Sequence, residues 1–213
     1  MKARTWLALA VVASTALLQG CELALIGAGA GAAYSTIEDR RSSGTQLDDD
    51  AIELRAASRI GARFPDKVHV NVAAFNRAAL ITGEVPDEAV RAEVEKIVQG
   101  VPNVRGVTNE VQLAPVTSLG ERTSDSLLTT QVKARYLRAN AFNPVHVKVV
   151  TEAGVVYLMG VLTEREADDA VDIARTTSGV RKVVKIFEYC KATDQVCRPR
   201  PPSPPAETPK PAA

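Results

Sequence analysis

The chain has 213 residues, 46% of them apolar and only 4% aromatic, with a formal net charge of +1. These values exclude a disordered, collagen-like or multispanning membrane protein. With the first 20 residues reading as a targeting segment and the last two dozen as a Pro-rich tail, about 140 residues remain for folding. That suits one ordinary domain or two small ones of roughly 65 to 70 residues, each near the lower limit for folding alone.

Lys2 and Arg4 precede an uncharged run from Trp6 to Gly20, whose apolar part, Trp6 to Leu18, is 13 residues long. A spanning helix needs about 20 apolar residues, so the basic start and short apolar stretch describe a secretory signal over 1–20. The run ends in Leu17-Leu18-Gln19-Gly20-Cys21, which resembles the lipobox of bacterial lipoproteins. That resemblance implies cleavage before Cys21 and acylation of its thiol, giving an acylated tether over 21–46. Each buried acyl CH₂ adds about 0.8 kcal/mol, and two or more chains make anchoring stable. In enterobacterial lipoproteins an Asp after the cysteine retains the protein at the inner membrane, so Glu22 implies passage to the outer membrane. The glycines of Leu23 to Ala33 follow no strand and lack nucleotide-binding spacing, and 11 residues cannot cross a bilayer, so this stretch reads as tether.

The middle of the chain repeats. Val68-His69-Val70 falls on Val145-His146-Val147 at an offset of 77, as do Ala79, Ile81, Gly83 and Val85 on Val156, Leu158, Gly160 and Leu162. Upstream, Asp49, Ile52, Ala56 and Ile60 fall on Asp125, Leu128, Val132 and Tyr136 at 76, and downstream Val104-Arg105-x-Val107 falls on Val180-Arg181-x-Val183 at the same offset. Each unit opens with apolar residues at i, i+4 and i+8 behind an Asp suited to capping, the pattern of an amphipathic helix. The period then changes to two at Val68, Val70 and Val72, and a turn near Asn76 or Gly154 makes a hairpin. Acidic stretches at Asp87 to Gln99 and Glu164 to Thr177 predict second helices, with negative residues in their first turns. Third strands are expected over Val104 to Leu113 and Val180 to Glu188.

Helix, strand, strand, helix, strand gives an α+β unit in which a three-stranded sheet packs on two helices. The Asp-x-x-aliphatic helix opening, the Val-x-Val strand, the aliphatic-x-Gly second strand with Gly83 and Gly160, and the Val-x-x-Val ending resemble the BON domain. The matching stretches are 47–113 and 121–189, joined by a linker over 114–120. A lipobox followed by two such units resembles the dual BON-domain outer-membrane lipoproteins. That resemblance implies a lipid-anchored protein facing the periplasm that supports envelope integrity.

Only two histidines exist, His69 and His146, at the same point of each repeat. Neither has a cysteine or carboxylate at ligand spacing along the chain, and no Gly-x-Ser-x-Gly, His-Glu-x-x-His or phosphate-cradling loop occurs. No enzyme activity, metal or cofactor is implied. Asp168 and Asp169 point to different sides of a helix and read as solvated surface. Cys190 and Cys197 lie beyond the last strand in an exported, oxidising setting that favours a disulfide, with two free thiols or an intermolecular link as alternatives. Residues 190–213 form the tail, and seven of the twelve prolines lie from Arg198 onward, so an extended segment is expected. The dual BON-domain pattern lacks such a tail.

Charge separates the two units. Residues 47–113 carry 8 Lys/Arg against 11 Asp/Glu, net −3, whereas 121–189 carry 10 against 9, net +1. On a helical wheel, Leu128, Val132 and Tyr136 define the core side of the second unit's first helix, leaving Leu127, Thr130, Lys133, Ala134, Leu137 and Arg138 outward. Two leucines flanked by cations suit shallow insertion among anionic head groups, where each basic residue contributes about 1 kcal/mol. The family resemblance implies the same surface, since dual BON-domain lipoproteins contact anionic phospholipid through the first helix of their second domain. Leu127 stands where a Trp is expected from that pattern. The alternative from another class is a periplasmic adaptor for envelope-assembly proteins, acting through a polar sheet face that includes Tyr157 and Met159. Nucleic acid is disfavoured by export and by the near-zero net charge.

Overall fold

The computed structural model describes residues 39–197 apart from 66, 117 and 195. The signal segment, Cys21, the Leu23 to Ala33 stretch and the Pro-rich tail from Arg198 lie outside the described residues. Two α+β modules follow one another. The first comprises α1 (Ser43–Arg63), β1 (His69–Phe75), β2 (Ala78–Val85), α2 (Glu88–Gln99), β3 (Gly106–Asn109) and β4 (Gln112–Leu113). The second comprises α3 (Leu119–Ala139), a 3₁₀ turn (Pro144–His146), β5 (Val147–Glu152), β6 (Val155–Leu162), α4 (Glu164–Arg175) and β7 (Lys182–Tyr189). Among the described residues no helix is long and apolar enough to cross a membrane.

In each sheet the middle strand of the sequence lies in the centre. β2 pairs antiparallel with β1 and parallel with β3 and β4, and β6 pairs antiparallel with β5 and parallel with β7. The strand expected over Val104 to Leu113 is interrupted at Glu110 and Val111. There the Val111 N–H donates to Asn109 Oδ1 at 3.2 Å and the Val111 side chain is buried. Ile52, Ala56 and Ile60 of α1 meet Ala74, Ile81, Val85, Val94 and Val98 in the first core. Val132 and Tyr136 of α3 meet Val149, Val156, Leu158 and the α4 alanines 167, 170 and 174 in the second.

The first helices start earlier than their aspartates suggest. Ser42 caps α1, and Ser118 with Glu121 forms a capping box on α3. A serine hydroxyl about two turns upstream accepts from the first N–H groups, which leaves Asp49 and Asp125 for another role. Both are buried within the helix and grip the hairpin turn. Asp49 accepts from the N–H groups of Asn76 (2.8 Å) and Arg77 (2.6 Å), and Asp125 from those of Ala153 and Gly154 (both 2.8 Å). All four turn residues have positive φ, between 48° and 73°, as a two-residue hairpin with right-handed strand twist requires. Three of them are not glycine, and the paired charge-assisted hydrogen bonds offset that conformational cost.

Gly83 and Gly160 are fixed by close backbone approach. A Cβ on Gly83 would lie 2.0 Å from the His69 carbonyl oxygen, at a φ of 109°, and one on Gly160 2.5 Å from that of His146.

The sheet faces turned away from the helices pack on each other. Ala73, Phe75 and Leu80 of the first sheet join Tyr157, Met159 and Val161 of the second in a third apolar cluster, bordered by Val150, Val184 and Ile186. Polar contacts flank it: Asn71 Nδ2 donates to Glu152 Oε2 at 2.9 Å, Asn76 Nδ2 to the Glu188 carboxylate, and Lys148 pairs with Glu53. Burial of side chains of this size contributes about 1.5–3 kcal/mol each. The segment before α1 adds a further link. Arg40 forms a bidentate pair with Glu166 at 2.8 and 2.9 Å and donates to the Val161 carbonyl, while Arg41 pairs with Asp49 and lies 4.1 Å over the Phe75 ring. The expected tether over 21–46 therefore ends sooner, in an anchored segment and a helix that begins at Ser43.

Candidate functional site

The outward face of α3 is built by its own periodicity. Leu128, Val132 and Tyr136 fill the core, and the Tyr136 hydroxyl donates to the Ala170 carbonyl at 3.0 Å. The Tyr136 phenol is pushed well above its ordinary pKa by burial. On the other side Leu127 is 60% and Leu137 70% exposed. Thr130, Lys133 and Arg138 are exposed too, and Ala134 is half-buried. These six residues lie on one strip of the helix, with apolar groups along its middle.

Electrostatically the six are not diluted by partners. Among the described residues neither Lys133 nor Arg138 takes part in an ion pair. Arg135, a third cation of the same helix, is instead bound to the end of α4. It donates to the Ile173 carbonyl and the Thr177 hydroxyl at 2.8 Å and to the Thr176 hydroxyl at 3.0 Å. Three of the helix hydroxyls are satisfied internally: Ser124, Ser126 and Thr130 each donate to the carbonyl four residues back, at 3.0–3.1 Å. Such back-bonding lets the helix surface leave water without stranding a donor.

The sheet face carrying Tyr157 and Met159 is not available to a partner. Tyr157 is 3% and Met159 1% exposed, both enclosed between the two sheets. The surface assigned to the adaptor alternative is thereby corrected: it is the seam between the modules. The run Val155 to Leu162 is apolar on consecutive positions, and that is the sequence signal of a strand covered on both faces.

Around the histidines the chain spacing also misled. His69 and Glu84 are cross-strand neighbours in the β1–β2 register, with Nδ1 3.0 Å from Glu84 Oε2. Glu152 of the second module brings Oε1 to 3.9 Å from the same nitrogen. One ligand atom of each of the three residues lies within 4.8 Å of the others. Burial pushes the Glu152 carboxyl above its ordinary pKa, the Asn71 hydrogen bond and His69 oppose this, and the negative charges of Glu84 and Asp125 add to it. Tyr157 nearby is pushed up to about 12 by burial and by the charges of Glu110 and Glu152. His146 holds the equivalent register position, just before Val147 opposite Gly160 as His69 precedes Val70 opposite Gly83, but it closes the 3₁₀ turn ahead of β5.

Cys190 and Cys197 are joined as a disulfide, with Cα atoms 6.2 Å apart. A groove of about 750 Å³ lies between α1 and α2, lined by Arg59, Arg63, Ala92, Glu93, Lys96 and Ile97. Its two arginines are engaged: Arg59 donates to the Gly100 carbonyl and Arg63 to Glu93.

A family model described as the BON domain matches residues 48–115 and 124–191. Outer membrane lipoprotein DolP of Haemophilus influenzae is 37% identical over 181 residues, covering 84% of this chain and 93% of the relative. The 21 kDa hemolysin of Actinobacillus pleuropneumoniae is 33% identical over 153 residues, 71% of this chain and 79% of the relative. Osmotically-inducible protein Y of Escherichia coli is 28% identical over 144 residues, 66% and 72% of the two chains.

Proposed function

Because this chain belongs to the BON domain family, with two copies in series, we propose that it is an outer-membrane lipoprotein held by acylated Cys21 and facing the periplasm. There it binds anionic phospholipid through α3 and supports envelope integrity. The observation that carries this reading is the α3 strip, where Leu127 and Leu137 stand 60% and 70% exposed beside Lys133 and Arg138. The similarity to the Haemophilus influenzae outer membrane lipoprotein and the lipobox-like run ending at Cys21 support the anchor.

The magnitudes define how such a contact works. Two partly exposed leucines entering the interface contribute about 1–2 kcal/mol each, and two cations near an anionic surface about 1 kcal/mol each. The sum corresponds to a dissociation constant of roughly 0.04–1 mM, too weak to hold a free protein. Tethering changes this, since a short flexible linker supplies an effective concentration of about millimolar. The anchor thus supplies the membrane and α3 supplies the orientation on it.

Co-sedimentation of residues 22–213 with liposomes at millimolar lipid tests the reading. Binding should rise with the phosphatidylglycerol fraction and fall with added salt. Lys133→Glu with Arg138→Glu should lower affinity at least tenfold, while Arg55→Glu with Arg63→Glu on α1 should leave it within about twofold. Equal losses in the two pairs, or no binding to any anionic liposome, would sink the assignment to α3.

A further inference from the structure

From the seam geometry we infer a second site: His69, Glu84 and Glu152 form a binding site for a divalent transition-metal ion of the zinc class, which ties the two BON modules together. His69 and Glu84 come from the first module and Glu152 from the second. An ion coordinated by all three therefore spans the interface.

The donor set fits that chemistry. One imidazole nitrogen and two carboxylate oxygens suit zinc and its neighbours, whereas calcium takes six to eight oxygen ligands and uses no histidine. Zinc ligands at bonds of about 2.1 Å lie roughly 3.4 Å from one another in a tetrahedron. The observed separations begin at 3.0 Å (Nδ1 to Glu84) and 3.9 Å (Nδ1 to Glu152), all within 4.8 Å. Side-chain adjustments of about 1 Å thus close the shell, leaving the fourth position for water.

The surroundings favour a cation as well. Glu84 and Glu152 side chains are only 4% and 7% exposed and His69 15%. Two carboxylates this close in a low-dielectric seam repel each other strongly, and a dication neutralises both at once. Asn71 supplies the outer support: its Nδ2 holds Glu152 Oε2 at 2.9 Å, which leaves Oε1 directed at His69.

The test uses the full chain, purified in detergent and stripped with EDTA, and zinc chloride as the probe. Expected are one zinc per chain by calorimetry and elemental analysis, and a melting temperature raised by about 5 °C or more at saturating zinc. His69→Gln and Glu152→Gln should each weaken binding at least tenfold, and Asn71→Ala about tenfold, as outer-shell losses do. X-ray absorption on the zinc-loaded wild-type chain needs no variant. It should show one nitrogen and oxygen donors at about 2.0–2.2 Å, with no sulfur. Substoichiometric zinc, an affinity unchanged in Glu152→Gln, or a shell containing sulfur or two imidazoles would overturn the site. None of these outcomes bears on liposome binding, so this inference and the lipid reading fail separately.

Discussion

Arg40→Met probes the link between the chain leading into α1 and the second module. Arg40 and Glu166 are 9% and 18% exposed in their side chains, and both Arg40 guanidinium nitrogens reach the carboxylate. Burial raises the Glu166 pKa, yet the Arg40 pair and the Thr163 N–H and hydroxyl outweigh it and hold the carboxyl at about 2, below its ordinary 4.5. At about 1.36 kcal/mol per unit, that depression contributes about 3 kcal/mol at neutral pH. Thr163 is part of the capping box and stays in the variant, so losing Arg40 forfeits roughly half of this, and the bond to the Val161 carbonyl adds about 1 kcal/mol. Arg40→Met should therefore unfold with about 2–3 kcal/mol less stability in urea at pH 7. A folded-state pKa below the unfolded one gives stability that is complete above the unfolded value and disappears as pH falls through the folded value. The wild-type advantage should shrink between about pH 4.5 and pH 2. A difference under about 0.5 kcal/mol at pH 7, or one equally large at pH 7 and pH 3, would refute the reasoning.

The hairpin clamp gives a second expectation: Asp125→Ala strands the N–H groups of Ala153 and Gly154 and should destabilise by about 3 kcal/mol in denaturant titration. Gly160→Ala places a methyl 2.5 Å from the His146 carbonyl oxygen, and scanning calorimetry should show a loss of about 3 kcal/mol or more. Leu127→Trp should raise affinity for anionic liposomes about three- to tenfold, because indole prefers the interface that leucine only tolerates.

The helices, the hairpins and the repeat were legible because each depends on local periodicity. Ile52, Ala56 and Ile60 recur at helical spacing, and Val70 and Val72 alternate, whatever the modules do to each other. What local pattern hid was contact between elements far apart in the chain, within a module and across the two. Asp49 and Asp125 look like caps in sequence, and only the fold shows serines 42 and 118 taking that role while the aspartates reach the turns. Glu84 and Glu152 meet at His69 from positions 15 ahead along the chain and from a separate module. Chain spacing carries no trace of that meeting. The exposure of the α3 face was readable from the wheel alone, since among the described residues Lys133 and Arg138 take part in no ion pair and Leu127 and Leu137 stay exposed.

Repetition itself separates frame from function in this chain. Arg135 of α3 and its repeat equivalent Arg59 of α1 each donate to a carbonyl at the end of the second helix of their own module, Ile173 and Gly100. That arginine is therefore part of the BON architecture and adds no charge for a ligand. Lys133 and Arg138 have no such counterparts, because the equivalent positions of α1 are Ala57 and Ala62, both exposed. Leu127 and Leu137 likewise fall opposite Ala51 and Gly61. With the two sheets facing each other, the modules offer a partner mainly their helical sides; α1 exposes Leu47 and Leu54 near Arg55, whereas α3 sets Leu127 and Leu137 beside Lys133 and Arg138. The frame is duplicated while the exposed helical faces differ, and that difference in charge and apolar content is what the lipid reading proposed above rests on.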